Sequence, residues 1–116
     1  MKIKTANLSG IALDWAVAKC ESRLFSPYAS SKHHFAPSNR WSHGGPIIER
    51  IDGFVLKSWI ESSSEGKCQA EIHNYEGDWI AFGPTILIAA MRCYVASKMG
   101  DTIEITEEDL LWKPMK

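Results

Sequence analysis

The chain has 116 residues, a formal net charge of -1 at pH 7 and 45% hydrophobic residues, a profile that predicts one globular domain over residues 1–116. Lys and Arg are scattered without a basic run, so nucleic acid is not an expected partner. The longest apolar stretch falls short of the roughly 18 to 20 residues that span a membrane, and the N-terminus lacks the apolar core of a signal peptide. We therefore expect a cytoplasmic protein without membrane contact.

The first part of the chain predicts one amphipathic helix. Residues 1–8 form a short extended entry, and Ser9 can cap a helix. Apolar residues then recur at helical spacing, at Ile11, Ala12, Trp15, Ala16 and Cys20. This pattern predicts a helix over 9–21, with three residues facing water: Asp14, Lys19 and Glu21.

Residues 22–45 predict the one long irregular loop of the domain. Helical and strand periodicity fail there, and Ser, Pro, Asn, Gly and His become frequent. Long ordered loops in small domains often carry function. We expect Leu24, Phe25 and Phe35 to attach this loop to the core, and a helix of one or two turns to follow over 46–51.

The next part of the chain favours a sheet. Three segments rich in β-forming residues predict strands over 54–60, 68–73 and 79–82. In the second segment Cys68, Ala70 and Ile72 alternate with polar residues, so one face of the sheet is expected to be wet. Polar turns at 62–66 and 74–78 would join the three strands.

The most buried element is expected to be a helix over 84–99. Pro84 suits the first helical position, and Gly100 suits the left-handed residue just past a helix end. Apolar residues between them face nearly every direction, so the helix needs cover on most sides.

The last residues predict three short features. Residues 102–105 alternate like an edge strand, residues 106–109 have the form of a capping box, and a last helical turn follows at 110–112. The complete set of elements predicts an α+β fold, in which a small, mainly antiparallel sheet of three or four strands packs against two main helices.

The best candidate for a functional site is the segment 37–50. Trp41 offers a flat stacking surface on the loop, and neighbouring glycines let a ligand approach the backbone. Free N–H groups at the start of the 46–51 helix could receive an anion. The candidate ligand-binding residues are Asn39, Arg40, Trp41, His43, Gly44 and Gly45. The competing interpretation is structural: the glycines permit a tight turn, and Trp41 packs over the sheet.

Metal binding and catalysis find little support in the residue spacings. His33 and His34 would point to opposite faces of an extended chain, and His43 and His73 complete no ligand pattern. The three cysteines are widely spaced and odd in number, which fits neither a disulfide framework nor a zinc site. No nucleophile has a base in register. We therefore predict no metal and no cofactor, and an enzyme is the least favoured interpretation.

One charge within the long helix needs a partner. Arg92 lies among apolar residues, where a charge must be paired or reach the surface. We predict that Arg92 pairs with an acid, Glu49 or Asp14, and so braces the 22–45 loop as structural support for the site.

Three blocks of the sequence resemble a known family. They cover residues 9–19, 37–50 and 83–101, and the middle block contains the string Pro-Ser-x-x-Trp-x-x-Gly-Gly-Pro. In this order they resemble the NinX-like family of small phage and prophage proteins of unknown function. The resemblance implies a temperate-phage or prophage origin and an accessory role, and it implies no particular activity. Residues 22–35 alternate less than the family leads us to expect.

Composition and resemblance together favour a phage accessory protein that works by binding in the cytoplasm of the bacterial host. Its ligand would be a small anionic or nucleotide-like molecule near Trp41 and the Gly44-Gly45-Pro46 turn. The alternative is a protein-interaction factor that docks a host or phage protein through exposed aromatic residues, and that forms a homodimer through its sheet.

Overall fold

The computed structural model describes residues 1–63 and 66–110, and the side chains of these residues except 59–63, 66 and 67. The described residues form three helices and five strands in an α+β arrangement, which confirms the predicted class. In chain order the elements are β1 (Lys2–Lys4), α1 (Gly10–Cys20), α2 (Trp41–Arg50), β2 (Phe54–Ser63), β3 (Gly66–Asn74), β4 (Gly77–Gly83), α3 (Ile86–Met99) and β5 (Thr102–Glu104). No helix in the described ranges has the length and apolar character needed to cross a membrane.

The main sheet is an antiparallel meander of β2, β3 and β4. Its register places Ala70 of β3 between Leu56 of β2 and Ala81 of β4. Cys68, Ala70 and Ile72 are all buried, because alternate side chains of a strand share one face and this face meets the core. The predicted alternation in β3 is therefore confirmed.

All three predicted strands are present and longer than predicted. The predicted ranges were 54–60, 68–73 and 79–82, and each lies within an observed strand. The turn between β3 and β4 lies within the predicted range 74–78. The predicted turn at 62–66 falls partly on residues 64 and 65, which lie outside the described residues.

Helix α3 packs against β3 and β4 and forms the centre of the core. Its buried residues are Leu87, Ala89, Ala90, Met91, Cys93, Tyr94 and Val95. The predicted helix over 84–99 is confirmed except at its start, since Pro84 precedes the N-cap instead of opening the helix. Thr85 is the N-cap because its hydroxyl accepts a hydrogen bond from the Ile88 amide at 3.1 Å. Gly100 ends the helix with a φ of 87°, as predicted.

Strand β5 pairs with β1 and not with the main sheet. Ile103 lies opposite Ile3 in this two-stranded antiparallel sheet, and the Thr5 amide donates to the Asp101 carbonyl at 2.8 Å. Of the two predicted strand numbers, three is therefore correct for the main sheet, and residues 102–105 are not its fourth strand. Alternation in the sequence indicates that one face is buried, but it does not indicate which strand lies alongside.

The predicted capping box is present after β5. The Thr106 amide donates to the Asp109 carboxylate at 2.8 Å, and the Asp109 amide donates to the Thr106 hydroxyl at 3.2 Å. A single 3-10 turn, Glu108–Leu110, follows. Of the predicted last turn at 110–112, residues 111 and 112 lie outside the described residues.

Helix α1 confirms the predicted helix over 9–21 to within one residue at each end. Ser9 occupies the N-cap position, but its side chain makes no capping hydrogen bond. The prediction that Asp14 faces water is wrong, since this residue is only 6% exposed. Its Oδ1 accepts the backbone N–H of Ser38 at 2.9 Å, which satisfies a donor that would otherwise be buried without a partner.

Helix α2 begins at Trp41, five residues before the predicted start of the 46–51 helix. The Arg40 carbonyl accepts from the amides of His43 and Gly44 at 3.0 and 2.9 Å, which closes the first turn. Pro46 therefore lies inside the helix and does not open it. The premise of a loop at the glycine pair was wrong, because packing against α3 favours a helix despite two weak helix formers.

Residues 21–40 are irregular yet held at several points. Phe35 is buried against the core, where the guanidinium carbon of Arg23 lies 3.9 Å from its ring centroid. Ser26 and His34 form an isolated bridge. Of the residues expected to attach this loop, Phe35 is in the core and Phe25 packs against it, whereas Leu24 is 59% exposed.

Glu21 joins the three helices at one point. It is the C-cap residue of α1, and its Oε2 accepts hydrogen bonds from Arg50 Nη2 of α2, at 2.6 Å, and from the Tyr94 hydroxyl of α3. Burial opposes ionisation of this carboxyl, but the two hydrogen bonds outweigh burial and lower its pKa. Glu21 is therefore a structural ion and not the solvated residue that was predicted.

The glycine pair of α2 gives a matched test of helix packing. A Cβ at Gly44 would lie 2.6 Å from the Pro37 carbonyl oxygen and 2.8 Å from Leu87 Cδ2, whereas one at Gly45 would meet only the Trp41 ring at 3.9 Å. We expect Gly44→Ala to lower the free energy of unfolding by about 1–3 kcal/mol through overpacking. Gly45→Ala should be neutral or raise it by up to about 1 kcal/mol through helix propensity. Urea unfolding measures both, and equal effects would contradict the close packing at Gly44.

The Glu21 junction predicts a component of acid denaturation. Because the folded-state pKa of Glu21 lies below its unfolded value, its contribution to stability is present above about pH 4 to 5 and is lost as the pH falls through the folded-state pKa. Glu21→Gln should cost about 1–3 kcal/mol at pH 7 and flatten the acid limb of the unfolding curve. The exposed Glu49→Gln is the matched control. An acid limb unchanged in Glu21→Gln would show that the junction does not contribute.

Candidate functional site

A cavity of about 370 Å³ lies between the start of α2 and the start of α3. We call it the Trp41 groove. It is lined by Ser38 and Asn39 before α2, by Trp41 at the first position of α2, and by residues 85–88 at the start of α3. The groove therefore contains two of the six residues predicted to bind a ligand, Asn39 and Trp41.

Trp41 forms an exposed wall of this groove. Its side chain is 55% exposed, an unusual state for a tryptophan, which is highly buried on average. Gly45 lies one turn further along α2, where the absence of a side chain leaves that part of the ring uncovered. Trp41 thus lies at the starts of α2 and α3 and not over the sheet, unlike in the structural interpretation of the sequence.

The polar groups of the groove come from two helix starts. The first amides of a helix have no partner within it, and the aligned peptide dipoles make that end positive. Thr85 caps α3 by accepting from the Ile88 amide, but the N-cap residue of α2, Arg40, makes no side-chain capping bond. Helix starts of this kind favour anions. Arg40 itself is exposed beside the groove and does not line it.

His43 faces the interior and holds the approach to α2. Its Nδ1 lies 2.9 Å from the Ala36 amide and accepts that hydrogen bond, so the neutral ring carries its proton on Nε2. The ring also stacks on Phe35 with a centroid distance of 5.4 Å. Burial lowers the pKa of His43, and the positive charges of Arg40 and Arg23 lower it further. His43 therefore does not line the groove but holds the preceding residues 35 and 36 against the start of α2.

Asp14 supports the groove through Ser38. Its carboxylate holds the Ser38 amide, and this fixes the chain that leads into Trp41. Burial raises the pKa of Asp14, although hydrogen bonds from the Ser38 side chain and backbone oppose the shift. The local sequence does not show this contact, because Asp14 and Ser38 come together only when α1 packs beside the loop.

The sequence did not identify the second wall of the groove. Residues 85–88 were predicted as part of a scaffold helix, with Pro84 inside it. The signal that could have located this wall is Thr85, a strong N-cap residue directly after Gly83-Pro84. An N-cap predicted at Thr85 would have identified residues 85–88 as a helix start, and therefore as a candidate wall of the site.

The two residues predicted as structural support lie elsewhere. Glu49 is exposed on α2. Arg92 donates from Nε to the Leu8 carbonyl at 2.6 Å and from Nη1 to the Phe82 carbonyl at 2.8 Å. Within the described residues neither Glu49 nor Asp14 is its partner, so the predicted ion pair is wrong. Backbone carbonyls can satisfy a guanidinium because it needs acceptors, and not a charge in particular.

Residues 4–98 match the family model described as Bacteriophage P22, NinX. The chain belongs to this family. The resemblance predicted from the three sequence blocks is thereby confirmed. The matched range contains every residue that lines the Trp41 groove. Membership of the NinX family makes the chain a phage accessory protein and does not assign a ligand. No curated protein matches the chain.

His43 predicts a loss of stability in mild acid. Its folded-state pKa is lowered, so below about pH 6.5 the unfolded chain binds a proton that the folded chain resists. Stability should therefore fall as the pH drops from about 6.5 towards the folded-state pKa. In His43→Gln, where an amide oxygen can still accept from Ala36, this loss should shrink. Urea unfolding at several pH values measures it.

His73 provides a control of opposite sign. Its ring nitrogens lie 2.6 Å from the Glu71 carboxylate and 2.7 Å from the Asp78 carboxylate, and these hydrogen bonds raise its pKa. His73→Gln should leave the mild-acid loss in place. If His73→Gln and not His43→Gln removes the loss, the assignment to His43 is refuted.

Proposed function

We propose that this NinX-family protein is a non-catalytic binding protein, and that its ligand is a small, flat, anionic molecule of nucleotide-like chemistry held in the Trp41 groove. The observation that supports this most is the half-exposed Trp41 ring on the wall of a 370 Å³ cavity at two helix starts. The ring offers a stacking surface, and the helix starts offer backbone donors and positive potential.

The size and lining of the groove suit such a ligand. Small-molecule sites usually enclose about 300–1,000 Å³ and combine apolar walls with a few polar groups. Ile86, Leu87 and Ile88 supply the apolar wall opposite Trp41, and the Asn39 side chain is exposed at the rim. Arg40 lies beside the groove, where its charge would attract an anion without being buried.

Binding is favoured over catalysis by the burial of the reactive groups. Ser38 is only 4% exposed, and its neighbour Asp14 is 6% exposed. The burial that raises the pKa of Asp14 also keeps it out of reach of a ligand. Within the described residues the groove therefore presents groups that can hold a ligand, and not an accessible nucleophile with its base.

The outer face of the main sheet favours a second function, as a protein-interaction factor. Val55 and Ile80 lie on this face, 39% and 54% exposed, with Glu71 between them in the sheet register. Such a face could dock a host or phage protein or a second copy of the chain. Light scattering over a concentration series tests the homodimer, and Ile80→Asp should abolish it.

Removal of the Trp41 ring tests the groove. A thermal-shift screen with nucleotides and related anions should give at least one ligand that raises the melting temperature, since ligand at about 100 times its Kd stabilises the fold by about 2.7 kcal/mol. Trp41→Ala should weaken that ligand about fivefold or more in calorimetric titration, because aromatic stacking contributes about 1–3 kcal/mol per base.

Tyr75→Ala is the matched control, because Tyr75 is an aromatic side chain 99% exposed in the turn before β4. Its affinity for the ligand should equal that of the parent chain. Equal losses in both variants, or no loss in Trp41→Ala, would place the ligand outside the Trp41 groove. A screen without any stabilising ligand, together with a dimer that Ile80→Asp breaks, would favour the interaction function.

A further inference from the structure

A second cavity, of about 340 Å³, lies in the gap between the main sheet and the β1–β5 sheet. We call it the Arg92 cavity. The residues that matter for its chemistry are Lys4, Ile80, Arg92, Ala96, Asp101 and Thr102. It shares no lining residue with the Trp41 groove, so it goes beyond the function proposed above.

The guanidinium of Arg92 is fixed across this gap. Its two acceptors are the Leu8 carbonyl, just after the N-terminal 3-10 turn Thr5–Asn7, and the Phe82 carbonyl of edge strand β4. A guanidinium carries five N–H donors in a planar fork, so three remain after these two bonds. The side chain is therefore preorganised, and it lines the cavity with donors to spare.

Among the side chains that the structure describes, none is a counterion for the charge of Arg92. Asp101 lines the same cavity, but its bonds there run through its backbone carbonyl, which accepts from the Thr5 amide and hydroxyl. Burial alone lowers the pKa of Arg92, without an opposing contribution from a nearby acid. Lys4 adds a second cation to the lining. The two cations outnumber the one acid in the lining, so the cavity is positive, and the two carbonyls that Arg92 binds do not neutralise its charge.

We propose that the Arg92 cavity binds a small organic anion, a carboxylate or a phosphate monoester with a compact apolar body. The anion would accept the remaining N–H groups of Arg92, and Lys4 would add charge at the entrance. Guanidinium forks suit the paired oxygens of both anions. Ile80 and Ala96 provide apolar walls for the rest of the molecule, and the Thr102 side chain lies at the exposed rim.

Bound anion would also join the two sheets. Lys4 and Thr102 belong to the β1–β5 sheet, Ile80 belongs to the main sheet, and Arg92 lies between them on α3. A ligand that contacts all of these would restrict their relative motion and raise the free energy of unfolding by an amount that grows with the logarithm of its concentration divided by its Kd.

NMR titration of the full chain tests this site with benzoate, phenyl phosphate and the uncharged benzyl alcohol. Benzoate or phenyl phosphate, or both, should shift the Arg92 Nε–H signal and the amides of Ala96 and Thr102. The amides of Asn39 and Thr85 should stay in place, which separates this site from the Trp41 groove. Comparing the two anions shows whether the cavity prefers carboxylate or phosphate. Benzyl alcohol should leave the Arg92 signal unchanged.

Two lysines of one strand supply the matched variants. Lys2 and Lys4 are both exposed on β1, but only Lys4 lines the cavity. Lys4→Ala should weaken the bound anion about fivefold, as expected for one unscreened surface charge, and Lys2→Ala should not. Arg92→Lys keeps the charge but loses the fork, so the anions should no longer shift the amides of Ala96 and Thr102 in this variant.

Three results would overturn the proposal. The first is equal weakening by Lys4→Ala and Lys2→Ala. The second is a benzyl alcohol titration that moves the same signals as the anions. The third is an Arg92 signal that neither anion moves at about 10 mM, a concentration at which a ligand with a Kd near 1 mM would be largely bound.

Discussion

The burial of α3 is the constraint on which the rest of the structure depends. Its 14 residues carry apolar side chains in nearly every direction, so no single neighbour can cover it. The main sheet covers one part of its surface, α1 covers another, and the first residues of α2 and the N-terminal turn contact the remainder. The relative positions of these elements are therefore set largely through α3.

The polar residues of α3 determine which neighbours lie where. A buried donor needs an acceptor, so each buried polar side chain of this helix must hydrogen-bond to a particular group on a neighbouring element. The Tyr94 hydroxyl donates to Glu21, which also binds Arg50, and these contacts fix the C-terminal ends of α1 and α2 against α3. Arg92 donates to two backbone carbonyls, and these hydrogen bonds hold the N-terminal segment against β4. Apolar packing does not by itself determine which element lies beside which part of α3, and these hydrogen bonds determine it.

Local patterns predicted the elements whose burial repeats along the chain. The all-round burial of α3 and the alternation in β3 each leave a periodic signal, and both are confirmed. The span of α1 is also confirmed, but its buried face is only partly the predicted one, since Ile11 is 49% exposed and Asp14 is buried. Helix α2 leaves no periodic signal, because Gly44-Gly45-Pro46 is typical of a turn in local terms. Its helical state depends on a close approach to Pro37 and Leu87 that exists only after folding.

Only one side of the candidate site was predictable, because the other side is formed by contacts that exist only after folding. Trp41 and Asn39 stand out in the sequence because an aromatic and an amide beside glycines are unusual in a core. Residues 85–88 look like ordinary core residues and become a wall only because α2 starts beside them. The acid partner predicted for Arg92 was wrong because sequence cannot show which carbonyls a folded chain brings within reach.

Both cavities lie where the cover of α3 is incomplete, at its first turn and at Arg92 and Ala96. A small domain could close such gaps with larger side chains, but positions 44 and 45 beside the first gap are both glycine, and for different reasons. Gly44 is needed for contact, because any side chain there would meet the Pro37 carbonyl. Gly45 has room for one, so packing does not explain it. Its effect is to leave the Trp41 ring open on the side of the helix, as a stacking surface requires.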